Sequence, residues 1–150
     1  MTNQVLPNTD EVLGLKIPMD WVISDFEQTA IEKISSYSFK KVREKILKEG
    51  WGSEDVVDEA ILEFRKFLIL FLFKERLFTE SSQTLGMISA EVDDVWHTFI
   101  LFTRDYAHFC ADTFEKFVHH SPVTSYNPAP ERATRTCVYQ VVYLDTAFIS

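Results

Sequence analysis

The chain has 150 residues, 46% hydrophobic and 14% aromatic, which is enough apolar side chain for one sizeable core. Its formal net charge of -8 argues against a direct nucleic-acid ligand, because phosphate binding needs a positive surface. Four glycines and five prolines speak against a turn-rich sandwich, and the two cysteines, Cys110 and Cys137, imply no disulfide framework.

Residues 1–18 read as a flexible leader with no charged-then-apolar signal segment, and 19–150 as a single helical domain. Asp20 is placed to cap a first helix over 21–37, in which Trp21, Ile23, Phe26, Ala30, Ile31 and Ile34 share one face. A second helix is predicted over 38–50, with Phe39, Val42, Ile46 and Leu47 inward and Gly50 as its stop. Its basic residues (Lys40, Lys41, Arg43, Lys45 and Lys48) are broken by Glu44 and Glu49 and read as a solvated face.

Ser53 is a cap for the third helix, expected over 54–78, with an acidic first turn and a basic end that suit the helix dipole. After Phe67 it is apolar nearly all round, the pattern of a central helix. That apolar run, 67–73, is too short to span a bilayer and is flanked by Arg65, Lys66, Lys74, Glu75 and Arg76. No membrane partner is expected, and the chain reads as soluble and cytoplasmic. Residues 79–89 read as a connecting loop.

Ser89 is a cap for a fourth helix, with Glu91, Asp93 and Asp94 near its positive end and helical periodicity to about His119. Pro122, Pro128 and Pro130 mark a loop beyond it. In the tail, 131–148, tyrosines and β-branched residues favour a strand, but the apolar positions do not alternate and no other segment offers a pairing strand. Val138, Val141, Val142 and Phe148 fit a helical stripe, so a fifth helix is expected. The fold class is all-α, a single-domain bundle of about five helices.

The chemistry-bearing residues concentrate in VDDVWHTFILFTRDYAHFC, 92–110. At about 100° per residue, Val92, Val95, Trp96, Phe99, Ile100, Tyr106 and Cys110 fall on one face of a continuous helix. Asp93, Asp94, His97, Arg104 and His108 fall on the other. Cys110 is then a buried, inert thiol, because nothing on its face would activate a thiolate. His97 points away from it, which excludes a shared cysteine–histidine site unless the helix kinks.

The polar row Asp93, Asp94, His97, Arg104 and His108 is the expected binding surface. Asp93 lies one turn before His97 and could orient its ring or share a ligand, with Asp94 as the alternative partner. His108 is about 16 Å further along the axis, and His119 and His120 are farther still. A metal ion would therefore need ligands from other helices, and a site of His97, Asp93 and a carboxylate from the third helix is one such arrangement. His119 and His120 suit the negative end of the helix dipole. No nucleophile elbow, phosphate-binding glycine loop, HExxH, CxxC pair or dinucleotide fingerprint occurs.

From Val92 to Pro122 the chain resembles the glycine-rich domain-containing protein-like family. The resemblance lies in an acid followed by Trp-His, an aliphatic, Thr-Arg, Tyr, Cys, an aromatic and a His-His-x-Pro close. Here these are Asp93, Trp96, His97, Leu101, Thr103, Arg104, Tyr106, Cys110, Phe117, His119, His120 and Pro122. Glu115 and Lys116 stand where many members have a glycine turn. The resemblance implies a helical domain and transfers no catalytic residue.

The leading expectation is a non-enzymatic binding or regulatory module that recognises a protein partner as inhibitor or adaptor, without a cofactor. The acidic exterior would suit a basic partner surface. A metal-dependent enzyme, with a divalent ion on His97 and Asp93, is the alternative, and a structural subunit of a complex the second.

Overall fold

The computed structural model describes residues 11–13, 15–16, 21–74 and 89–120. The expected class holds: five helices account for most of these residues. They are α1 (Asp25–Ser36), α2 (Lys40–Glu49), α3 (Glu54–Leu72), α4 (Ala90–Leu101) and α5 (Thr103–Phe114). The one β feature among the described residues is a minimal antiparallel hairpin of β1 (Glu11–Val12) and β2 (Leu15–Lys16), which pairs Glu11 with Lys16 and Val12 with Leu15. Leu15, within the stretch expected as a leader, is buried in the main core.

Local signals set the helix starts. At α1 the Ser24 hydroxyl accepts from the Glu27 N–H while Glu27 accepts from the Ser24 N–H, a reciprocal capping box. The helix thus begins four residues later than the expected start at 21, and Phe26 is left partly exposed. Ser53 and Ser89 cap α3 and α4 as expected, each hydroxyl accepting the N–H three residues on. Gly50 closes α2 in the left-handed conformation, φ 76°. α3 stops at Leu72, where the Phe73 N–H turns back to Ile69 and Leu70, so its last turn lacks the expected basic residues.

α3 is the central element, packed against α1, α2 and α4, with α5 lying on α1 and α4. The core is aromatic. The Phe99 ring on α4 meets Tyr37 (5.5 Å), Phe39 (5.1 Å), Phe64 (6.2 Å), Tyr106 (5.1 Å) and Phe109 (5.4 Å), mostly edge to face. Such pairs are worth about 0.5–1.5 kcal/mol each beyond area burial. Arg65 of α3 reaches across to donate to the carbonyl of Ile34 at 2.8 Å, at the end of α1, and covers the Phe39 ring. A cation there satisfies the negative end of a helix.

The principal departure from expectation is the fourth helix, which is two helices. Phe102 leaves the helical conformation (φ -83°, ψ 68°), its N–H turning back to Phe99. The second half folds against the first, so that Tyr106 and Phe109 both touch Phe99. A straight helix would separate residues ten apart by about 15 Å. α5 then ends at Phe114, short of His119, with Glu115 left-handed at φ 57°. This is the position where a glycine would cost least. The helix expected over 131–148 lies outside the described residues.

The basic residues of α2 are largely neutralised at the surface. Arg43 pairs with Asp58 (2.6 Å), Lys41 with Asp105 on α5 (3.1 Å) and Lys45 with Glu49 (2.9 Å). Among the described residues, no helix is long and apolar enough to cross a membrane.

Phe99→Ala should therefore cost about 3–5 kcal/mol in urea unfolding, because it empties the centre of the aromatic cluster. Leu101→Ala, at a side chain 67% exposed, should change stability by less than about 0.5 kcal/mol.

Candidate metal centre

Two elements build the site: the first half of α4, and the six-residue segment 115–120 that follows α5. On α4, Val92, Val95, Trp96 and Phe99 are buried, which turns Asp93 and His97 outward as neighbours one turn apart. The 115–120 segment carries no regular structure, yet it is tied down. Phe117 packs edge-on to Tyr106 at 5.4 Å, Val118 is buried, and His120 stacks on the Trp96 indole with ring centres 4.1 Å apart.

A hydrogen-bonded relay holds these parts together. The Trp96 indole N–H donates to the Tyr106 hydroxyl at 3.0 Å, and that hydroxyl donates to the Val118 carbonyl. Burial pushes the Tyr106 pKa above its ordinary range, so the phenol keeps the proton it donates. Cys110 lies beside this relay and is buried. Burial, the largest influence, raises its pKa, against hydrogen bonding from the Val118 backbone and Tyr106.

The consequence is a three-residue cluster. His120 Nε2 is 2.9 Å from Asp93 Oδ1 and 2.7 Å from His97 Nε2, and His97 Nε2 is 3.5 Å from the same Asp93 oxygen. An ion bound at about 2.1 Å would hold its ligand atoms roughly 3.0–3.4 Å apart, so small adjustments suffice. Among the described residues this is the one set of three or more such donors positioned to share an ion. The His97 side chain is 46% exposed and that of His120 only 9%, so the cluster is open on one side and walled by Trp96 on the other.

Burial, the largest influence, lowers the His120 pKa. Asp93 opposes the shift and His97 adds to it. The balance favours the neutral imidazole, the form that ligates metals.

Of the residues expected from sequence, Asp93 and His97 meet, while Asp94, Arg104 and His108 are exposed and stand apart. Asp94 uses its backbone carbonyl to accept from Thr98. Neither Arg104 nor His108 shares a hydrogen bond or ion pair with the cluster among the described residues. The expectation that His120 is too distant is overturned. It assumed one continuous helix, on which 23 residues rise about 35 Å, whereas the break at Phe102 and the reversal at Glu115 return the chain to α4. The side chain that joins Asp93 and His97 is therefore His120. The same break removes the rotation that set His97 against Cys110, yet Cys110 remains a core thiol on its own contacts.

Sequence counting missed Trp96, Tyr106 and Val118 as determinants of the site. The helical period sets Trp96 and Tyr106 on one apolar face as core residues, and their meeting with the Val118 carbonyl depends on the break at Phe102 and the reversal at Glu115.

With Cys137 replaced by serine, Cys110 is the sole thiol. It should remain unlabelled by a thiol reagent in the folded protein and react fully once urea unfolds the chain. Rapid labelling without denaturant would contradict its placement in the core.

In comparisons with known proteins, the model of the UCP032817-like family matches residues 29–139. Curated proteins and solved structures gave no match.

Proposed function

The chain belongs to the UCP032817-like family, and from there we propose that it binds one divalent transition-metal ion through Asp93, His97 and His120. The observation that carries this reading is the approach of three ligand-type atoms from two separate elements. One proton on His120 Nε2 can serve only one of its two close neighbours well, whereas a cation among the three atoms would be shared by all of them.

Donor chemistry narrows the ion. Two imidazole nitrogens and one carboxylate suit zinc or iron(II), whereas magnesium and calcium take oxygen ligands almost entirely. Three protein ligands leave at least one coordination position for water or an exogenous oxygen donor. The exposed His97 side would leave that position open to solvent. An ion held by these three residues would supply Lewis-acid chemistry toward water or a small oxygen-donor ligand. The polar row expected to recognise a protein partner shares Asp93 and His97 with this site, while Asp94, Arg104 and His108 stand outside it.

Stripped with chelator and titrated with zinc, the protein should take up one equivalent and gain thermal stability as the ion rises above its dissociation constant. His97→Ala and His120→Ala should each weaken uptake by more than the roughly 10–100-fold typical of losing an outer partner, with the far-UV spectrum unchanged. Zinc affinity no tighter in the wild type than in the His97→Ala/His120→Ala double variant would overturn the reading.

A further inference from the structure

We propose that Tyr106 is the positioning residue of this centre: its hydroxyl, held between Trp96 and Val118, fixes the 115–120 segment against α4 and so brings His120 to Asp93 and His97. The inference rests on the metal-binding reading and adds to it a group that touches no ligand atom.

His120 is the donor least secured by regular structure. Asp93 and His97 are set by α4, one turn apart, whereas His120 stands six residues beyond the last residue of α5. A ligand on an irregular segment binds weakly unless the segment is already ordered, because the entropy lost on ordering it is subtracted from the affinity.

One hydroxyl supplies that order at two points. It donates to the carbonyl of Val118, two residues before His120. It also accepts the Trp96 indole N–H at 3.0 Å, which fixes the plane on which the His120 ring stacks at 4.1 Å. Tyr106 is 2% exposed, so water cannot take over either bond when the hydroxyl is removed. The Phe117 ring against Tyr106 and the buried Val118 side chain define the path of the segment, while the hydroxyl sets its register.

By reciprocity, an ion that joins His120 to α4 also strengthens the relay, so metal uptake and the fastening of residues 115–120 are two readings of one equilibrium.

The test is a cobalt(II) titration of the full chain, followed by visible absorption, on the wild type, Tyr106→Phe, His120→Ala and the double variant. Tyr106→Phe should retain its helical far-UV spectrum, bind cobalt about 10–100-fold more weakly and show a cobalt band shifted toward that of His120→Ala. The double variant should bind no more weakly than His120→Ala alone, since a group acting through His120 has nothing left to act on. If Tyr106→Phe does not fold, Trp96→Phe removes the indole donor to the same hydroxyl and should give the same non-additive loss. Wild-type affinity in Tyr106→Phe, or an equal loss added on top of His120→Ala, would overturn the positioning role and leave the metal site standing. No cobalt uptake by the wild type would overturn both.

Discussion

The phenol of Tyr106 is the fixed point around which the C-terminal half of the described structure is arranged. It accepts from the Trp96 indole on α4 and donates to the Val118 carbonyl beyond α5, from a position with almost no solvent access. Both bonds join parts of the chain that a continuous helix would keep apart. Because a buried indole N–H, phenol or carbonyl without a partner is costly, the three groups can be interred here only together. Their mutual satisfaction ties the α4–α5 turn to the path of the chain after α5.

The remainder of the fold gives that arrangement a firm base. α3 supplies a nearly all-apolar surface on which α1, α2 and α4 converge, and the rings around Phe99 interlock at edge-to-face spacing. The ion pairs that join α5 to its neighbours, Lys33 with Asp112 and Lys41 with Asp105, are exposed and of the kind worth about 0–1 kcal/mol each. Placement of α5 is therefore chiefly a matter of packing, with Tyr106, Phe109, Cys110 and Phe114 all buried. A site at the surface of such a core inherits its rigidity from below while one side stays open to solvent.

Charge and polarity at the cluster follow from where it sits on α4. Asp93 lies in the first turn, where the helix dipole favours a carboxylate. His97 follows one turn later at the rim, and His120 arrives from outside the helix with Trp96 as its wall. The acid and the two imidazoles thus differ in burial as well as in type, which keeps one face dry and leaves the other accessible.

Much of this was legible in the sequence alone. Ser53, Ser89 and Gly50 mark helix boundaries through local hydrogen bonding and backbone freedom, which a few neighbouring residues determine. The apolar spacing of α1 to α4 likewise marks the buried faces and the all-α class, and the four-residue spacing of Asp93 and His97 makes them neighbours wherever α4 forms. The break at Phe102 was not legible, since neither proline nor glycine stands there and the apolar period runs on without interruption. It is decided by long-range contacts: Tyr106 and Phe109 gain Phe99 and Trp96 as partners only if the helix folds back. His120 joins Asp93 and His97 for the same reason. Short-range chemistry written in the chain chose the elements and set Asp93 beside His97, and packing between distant residues brought His120 to them.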